Sequence, residues 1–374
     1  MRYTVEEVMQ YVEEEDVKFI RLAFCDVFGR QKNVSIMPGE LRRAFGTGIA
    51  FDASAIRGFG QETHSDLFLH PDPATLSVLP WRPEQGRVVR MYSSIRTPAG
   101  EPFSNDTRTL LVNAEKAAEE QGVGLMFGSR AEFYLFGADE DGNRTDTPFD
   151  KAGYMDIAPL DKGENVRRQI CLNLERMGIS TVYSCHLDGS GQNAVKLGQK
   201  GMLAAADDLM SFFTVIKTAA SSNGLFAELA PKPVKMKNMP GSGLCIEITA
   251  DDGSKEKLGG AAAGIAAHLS EITLFLDPAR ESYERLCSDS LPQAVRLTDG
   301  GIALCSPDCS ANPYLAFTLL IRAALDGVTK GMNCEDVTAR LPATFEEAVR
   351  AAQESAFIAE FIPKSITDVY SADR

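Results

Sequence analysis

The sequence predicts two domains, a small β-rich one followed by a larger one in which helices and strands alternate. Short strand-like runs dominate residues 1–100, and a Pro/Gly segment at residues 97–102 follows them. Beyond residue 105, helical and strand periodicities succeed one another to the end of the chain. We therefore expect an N-terminal domain of residues 1–100 and a C-terminal domain of residues 101–374.

The N-terminal elements are predicted from apolar spacing. Val8 and Val12 share a helical face, whereas Ile20, Leu22 and Phe24 alternate as in a strand. The spacing predicts a helix over 6–15 and strands over 17–24, 32–36, 76–79 and 87–92. The turn between the first two strands makes them a hairpin.

The C-terminal elements follow from the same criteria. Predicted helices cover 107–120, 163–177, 201–222, 256–276, 311–331 and 344–355. Predicted strands cover 126–136, 181–186, 225–229, 244–249 and 301–305. No nucleotide-binding glycine loop occurs between them, since Gly58-Phe59-Gly60 matches neither common pattern.

Charge and cysteine usage exclude several classes of function. The net charge of −14 disfavours binding to nucleic acid or to an anionic membrane. The N-terminus lacks the apolar core of a signal peptide, and the apolar stretch 258–269 is short for a membrane span. The eight cysteines contain no CxxC pair and are typical of reduced thiols. We expect a soluble cytoplasmic protein with neither nucleic acid nor membrane as a partner.

Several short segments, taken in order, resemble one enzyme family. They are residues 51–59 with 65–67, residues 153–159, residues 230–233 with 241–243, residues 307–308 with 311–317, and residues 325–327. Together they are similar to the signatures of the glutamine synthetase family, in a shortened, type I-like form. The resemblance implies an α+β fold with an N-terminal β-grasp domain. A catalytic domain of antiparallel barrel strands with flanking helices would follow it. It also implies ring-shaped homo-oligomers with active sites between neighbouring subunits.

The resemblance also implies a chemistry that the matched residues lack. The family makes γ-glutamyl phosphate from ATP and uses Mg²⁺ or Mn²⁺, which prefer carboxylate-rich sites. Only Glu132 keeps its acid among the six matched ligand positions; the replaced ones are Arg130, Leu187, Ala194, Cys245 and Ala303. The family's arginine-rich phosphate segment has no counterpart, and the chain is shortened between residues 285 and 301. We therefore expect no metal, no cofactor and no measurable glutamine synthetase activity.

Strand alternation places the replaced side chains on the inward face of the barrel. There Arg130 can neutralise Glu132 or Glu247 as a structural ion pair, or it can bind an anion. Cys185, Cys245 and Cys305, with His186 or Glu247, could hold a soft metal. The alternative is that the cysteines are small residues that refill a pocket.

Four matched residues persist on the substrate side. Asp52 and Asp66 match the acids that the family uses to draw a proton from ammonium. Gly241 and Arg285 match glutamate-binding positions. The structural alternatives are a turn cap for Asp52, turn geometry for Gly241 and a surface ion pair for Arg285.

Two classes of function remain open from these observations. The first is a non-catalytic oligomeric binding, regulatory or scaffold protein, with an authentic glutamine synthetase as a candidate partner. The alternative is an ATP-dependent glutamate–ammonia or γ-glutamyl–amine ligase with a rearranged site. A new activity in the refilled pocket is a third possibility, for which the sequence offers no catalytic triad.

Overall fold

The computed structural model describes residues 3–59, 66–82, 85–233, 239–287, 294–298, 300–333 and 339–372. The helices are α1 Val5–Glu14, α2 Leu41–Gly46, α3 Thr107–Glu120, α4 Glu164–Arg176, α5 Met202–Ser222, α6 Lys255–Leu276, α7 Arg280–Leu286, α8 Pro313–Thr329, α9 Phe345–Glu354, α10 Ala356–Phe361 and α11 Lys364–Ser371. The strands are β1 Val17–Cys25, β2 Gln31–Ile36, β3 Ile49–Phe51, β4 Leu67–Pro71, β5 Ser77–Val78, β6 Arg87–Arg96, β7 Leu125–Ala138, β8 Arg144–Pro148, β9 Thr181–His186, β10 Gln192–Leu197, β11 Lys200–Gly201, β12 Leu225–Glu228, β13 Leu244–Ala250, β14 Val295–Thr298 and β15 Gly301–Leu304.

The N-terminal sheet has a parallel pair at its centre. Its order is β2-β1-β6-β4-β3, with β5 also on β6, and β1 runs parallel to β6 with Leu22 opposite Met91. The predicted hairpin is present, since β1 and β2 are antiparallel neighbours. The β-grasp domain expected from the resemblance is confirmed.

The second sheet is built around β7. Its order is β14-β15-β13-β7-β10-β9, and β8, β11 and β12 also pair with β7. Its pairs are antiparallel. The strands curl, and helices flank them, so the α+β class with an antiparallel catalytic-type domain is confirmed.

Helices α6 and α8 form the centre of the larger core, and glycine lets them approach closely. A Cβ on Gly264 would lie 2.7 Å from Gly327 N, and a Cβ on Gly327 would lie 2.6 Å from Gly264 N. By length and composition α6 could cross a membrane, but 67% of its apolar window is buried inside the protein. It is therefore a core helix.

Buried polar contacts join the residues around the N-terminal sheet to the helices of the C-terminal part of the chain. Arg108, at the start of α3, places Nη2 2.9 Å from Asp72 Oδ2 and 2.8 Å from Asp207 Oδ2. Asn312 donates from Nδ2 to Val27 O at 3.0 Å.

The domain boundary expected between residues 100 and 101 stays a proposal.

Candidate functional site

The matched metal positions converge on one face of the curled sheet. Arg130 lies opposite Cys245 of β13, and Glu132 lies opposite Ala194 of β10. Ala303 of β15 faces Glu247 of β13. Leu187 directly follows β9, which pairs with β10. The family-matched positions are thus brought together, as strand alternation predicts.

Arg130 and Glu132 form the ion pair that the sequence suggested. Arg130 Nη2 lies 2.7 Å from Glu132 Oε1, with side-chain exposures of 30% and 16%. Burial lowers the pKa of Arg130, but the charge of Glu132 and the neighbouring Cys245 and Tyr183 raise it above its ordinary value. The Arg130 Nε is buried without a hydrogen-bond partner among the described residues. The structural ion pair is confirmed.

Glu247 has a different partner. Lys196 of β10 donates from Nζ to Glu247 Oε1 at 2.7 Å. The two remaining acids of this face, Glu132 and Glu247, are therefore each neutralised by a cationic side chain of the same sheet. This arrangement balances charge without an ion.

The retained Glu132 also holds the glycine-containing loop before β13. Its Oε2 accepts a hydrogen bond from Gly243 N at 3.0 Å. Gln192 donates from Nε2 to Gly241 O at 3.1 Å. A Cβ on Gly241 would lie 2.6 Å from both Arg285 Cγ and Pro231 O, so glycine is required at this close approach.

Arg285 lies under the same loop rather than on the surface. It is 5% exposed, and its Nη2 lies 2.9 Å from Asp277 Oδ1. The same guanidinium also donates to the Ser306 carbonyl. The surface ion pair considered as the alternative is wrong, because both partners are buried. A glutamate-binding role for Arg285 stays a prediction.

Asp52 and Asp66 are both exposed in the N-terminal part of the chain. Asp52 Oδ1 accepts a hydrogen bond from Ser54 N at 2.9 Å, which is the turn cap considered above. Hydrogen bonds from the Ser54 hydroxyl and backbone lower the pKa of Asp52 below its ordinary value. Ser65, the first residue of the second N-terminal signature, lies outside the described residues.

The three cysteines of the former metal strands do not form a ligand group. Among the described residues, Asp150, Asp161 and His186 form the group of three or more potential ligands whose atoms lie within 4.8 Å of one another. Cys185 lies on β9, two strands beyond β7, whereas Cys245 lies on β13 at its other side. The three-cysteine soft-metal site is therefore absent from this part of the chain.

The histidine–aspartate cluster is buried and fully bonded. His186 Nε2 lies 3.0 Å from Asp150 Oδ1, and His186 Nδ1 lies 2.7 Å from Leu187 O. Arg167 Nη1 donates to Asp161 Oδ1 at 3.1 Å. The cluster was missed from the sequence, because no local spacing joins Asp150 and Asp161 to His186.

Its ionisation follows from these bonds. Burial raises the pKa of Asp150, but hydrogen bonds from His186 and from the backbone of Gly191 and Lys162 lower it to about 2. Burial lowers the pKa of His186, yet its bonds to Asp150 and Leu187 raise it above the ordinary value. The pair is thus an ionised carboxylate held against a histidine that gains a proton readily.

The family's cations can be tested against these residues. Mg²⁺ and Mn²⁺ take oxygen ligands. Leu187, Ala194 and Ala303 offer none, and a guanidinium occupies the position of Arg130. The matched positions do not fit a hard cation. The Asp150–Asp161–His186 group has oxygen and nitrogen donors suitable for a metal ion, although each of the three side chains is already hydrogen-bonded within the protein.

The architecture defines a class: a β-grasp domain followed by a curled antiparallel sheet that carries the candidate site on one face. The chain belongs to the glutamine synthetase family. The family model for the glutamine synthetase β-grasp domain matches residues 16–98, and that for the glutamine synthetase catalytic domain matches residues 104–297 and 302–374. The resemblance found in the sequence is confirmed.

Relatives support this assignment over most of the chain. A glutamine synthetase of Clostridium saccharobutylicum is 36% identical over 362 residues, which cover 89% of this chain and 81% of the relative. A glutamine synthetase of Methanosarcina mazei is 33% identical, covering 98% and 92% of the two chains.

Solved structures share the fold. Apo GmaS without ligand superposes with a TM-score of 0.85 at 23% identity, covering 97% of this chain and 93% of that one. A GmaS complex with ADP has the same TM-score at 22% identity and the same coverage. The cryo-EM structure of Plasmodium falciparum glutamine synthetase gives 0.86 at 18% identity, with coverages of 98% and 94%.

Two expectations change with these findings. The expectation of no cofactor is wrong, because relatives above 30% identity are glutamine synthetases, for which the resemblance implies ATP and a divalent cation. A buried His–Asp cluster with metal-type donors is also present. The comparisons further favour the ligase over the non-catalytic protein among the functions weighed from the sequence.

Proposed function

We propose that this chain is an ATP-dependent ligase with a rearranged site, joining ammonia or a primary amine to the γ-carboxyl group of glutamate. The supporting observation is the hydrogen bond between Glu132 Oε2 and Gly243 N. It links the retained acid to the loop that the family resemblance assigns to glutamate and ammonia. The glutamine synthetases that cover most of this chain add support.

In this proposal the loop at residues 239–243 forms one wall of the substrate site. Glu132 fixes the loop at Gly243, and Gln192 fixes it at Gly241. Arg285 and Asp277 support it from the core. A wall with these fixed backbone positions orients a substrate without reorganising during the reaction.

The N-terminal acids supply the proton acceptor. Asp52 and Asp66 are exposed, and the lowered pKa keeps Asp52 ionised near neutral pH. We infer that one of them takes the proton from an ammonium substrate bound by a neighbouring subunit. This role requires an assembly in which the N-terminal domain of one copy reaches the site of another.

An apolar surface beside the site supports such an assembly. Tyr154, Met155, Ile157 and Leu160 are exposed by 61%, 59%, 77% and 60%. Met155 N bonds to His186 O at 3.0 Å, so this surface adjoins the end of β9. Covering four such side chains favours association. We propose a ring-shaped homo-oligomer, and cytoplasmic localisation stays a prediction.

The matched metal positions do not fit a hard cation, so the proposed reaction is described through the residues of the chain alone. ATP and a divalent cation are nonetheless supplied together in the assay. The purified protein is incubated with ATP, glutamate and either ammonium or methylamine, with Mg²⁺ or Mn²⁺, and the γ-glutamyl amide is quantified by mass spectrometry. We expect ATP-dependent product from the wild type.

Two variants make the assay specific. Glu132→Gln removes the charge that holds Arg130 and should lower product formation at least tenfold. Glu140→Gln changes an exposed acid beyond the same strand and should leave it unchanged. Equal rates for Glu132→Gln and the wild type would contradict the assigned role of Glu132.

A second function is favoured by one observation. Arg130 occupies a position where the family resemblance implies a metal ligand, and its guanidinium pairs with Glu132. A non-catalytic scaffold or regulator needs no metal at this position and tolerates such a replacement. Absence of product with either amine and either cation, from an intact oligomer, would support this second function. Co-purification with an authentic glutamine synthetase would then identify its partner.

A further inference from the structure

Cys245 lies on β13, and Cys305 directly follows the neighbouring strand β15. β13 and β15 are antiparallel, and Ile246 lies opposite Leu304. Extending this register by one residue beyond the last pair sets Cys305 against Cys245, and the side chains of the two cysteines are hydrogen-bonded to each other. Both cysteines are free and partly exposed.

The surroundings make one of the two thiols nucleophilic. The hydrogen bond from Cys245 and the charges of Arg130 and Arg296 lower the pKa of Cys305 below its ordinary value, against the effect of burial. The same contact and burial raise the pKa of Cys245 above its ordinary value. Cys305 is therefore the one of the two thiols that ionises more readily, and the thiolate is the reactive form.

We propose that Cys245 and Cys305 are a reversible modification site, which a peroxide converts from a dithiol into a cross-strand disulfide. The Cys305 thiolate attacks one oxygen of hydrogen peroxide, the O–O bond breaks, and the leaving hydroxide takes up a proton to become water. The Cys245 sulfur then displaces hydroxide from the resulting sulfenic acid, its thiol proton completes a second water, and the S–S bond forms. Two thiols are oxidised and one peroxide is reduced.

The backbone geometry permits this closure. Opposed residues of antiparallel strands have Cβ atoms about 4.5–5.5 Å apart, and a disulfide needs roughly 3.5–4.5 Å. The remaining approach is small, and β15 ends at Leu304, so Cys305 can move without breaking the strand. The other cysteine of this face, Cys185, lies on β9, which does not adjoin β13.

Oxidation would change the charge of the site. It removes the ionisable Cys305 thiol beside Arg130 and ties the end of β15 covalently to β13. This inference is independent of the proposed ligase activity, because it concerns only the two sulfurs and their neighbours.

The test is peptide mapping of the reduced full-length protein after brief exposure to hydrogen peroxide. Free thiols are blocked, and the protein is digested with trypsin without reduction. We expect a cross-linked pair of peptides carrying Cys245 and Cys305 that disappears on treatment with dithiothreitol. Cys309 shares the tryptic peptide of Cys305, so Cys309→Ala is mapped in parallel and should keep the cross-link.

Matched variants sharpen the result. Cys185→Ser should retain the cross-link, and Cys245→Ser and Cys305→Ser should each abolish it. The wild-type map stands even if a variant fails to fold, which circular dichroism will show. A cross-link through another cysteine would overturn the proposal. So would full alkylation of both thiols after oxidation, or conversion of Cys305 to sulfinic acid without a cross-link.

Discussion

Arg130 Nη2 lies 2.7 Å from Oε1 of Glu132, two positions further along β7. The family resemblance implies an acid at both positions. Here Arg130 replaces the first acid, so the positive charge beside Glu132 belongs to a side chain of the same strand. The second oxygen of Glu132 accepts a hydrogen bond from Gly243 N in the loop before β13. The Glu132 carboxylate thus contacts both Arg130, which replaces a family acid, and Gly243 of the loop before β13.

Removing Arg130 should destabilise the protein. Arg130→Met leaves Glu132 partly buried without its cation, and we expect a loss of about 1–3 kcal/mol in the free energy of unfolding. Arg43→Met breaks an exposed pair with Glu40 and should cost less than about 0.5 kcal/mol. Urea titration followed by circular dichroism compares the two. Equal effects would mean that the buried pair contributes no more than a surface pair.

The loop glycine should tolerate no side chain. In Gly241→Ala the new Cβ meets Arg285 Cγ and Pro231 O at 2.6 Å, so the loop must move. We expect destabilisation on the order of 1–3 kcal/mol, typical of overpacking. Gly259→Ala places its Cβ in open space on α6 and should be neutral or stabilising. A thermal melt of Gly241→Ala at the wild-type temperature would refute the close packing.

The His186–Asp150 pair should make stability depend on acid pH. The folded pKa of Asp150 is lowered to about 2, so its contribution is present above its unfolded pKa near 3.8 and is lost as pH falls towards 2. For a shift of this size the contribution is on the order of 2 kcal/mol. Unfolding in urea between pH 6 and pH 3 should show a shallower decline for Asp150→Asn than for the wild type. Parallel declines would exclude a depressed pKa.

The apolar surface at residues 154–160 should hold the oligomer together. Ile157→Asp places a charge on a side chain that is 77% exposed in the single chain, and burial of that charge at an interface is costly. We expect a smaller native mass by light scattering. Leu297→Asp, at an exposed apolar position of β14, should leave the mass unchanged. An unchanged mass for Ile157→Asp would place the interface elsewhere.

Much of the fold could be predicted from periodicity. The helix over residues 107–120 and the strand over residues 181–186 were predicted with the bounds that the structure shows. β10 was missed because it begins with the polar residues Gln192 and Asn193, and the hydrogen bonds that let their side chains be buried are not visible in the sequence. β4 was missed because Pro71 lies at its end, where proline is tolerated.

The site was predictable where it depended on alternation along one strand. It was not predictable where it depended on contacts between residues distant in sequence. Alternation along β7 placed Arg130 and Glu132 together, and the ion pair follows directly. Burial of Arg285 against Asp277 depends on how α7 packs, which no local pattern encodes. The Asp150–His186 contact joins residues 36 positions apart. The expectation of no cofactor depended on the replaced ligand positions alone, and the glutamine synthetases that match most of the chain overturn it.

The measurement that tests the ligase most directly is isotope transfer from glutamate to phosphate. Glutamate carrying ¹⁸O in its γ-carboxyl group is incubated with the protein, ATP, a divalent cation and ammonium or methylamine. A ligase acting through γ-glutamyl phosphate delivers one labelled oxygen to each inorganic phosphate released, together with one γ-glutamyl amide. That is the result we predict, reduced at least tenfold in Glu132→Gln. Unlabelled phosphate and no amide from the intact wild-type oligomer, with both amines and both cations, would contradict it.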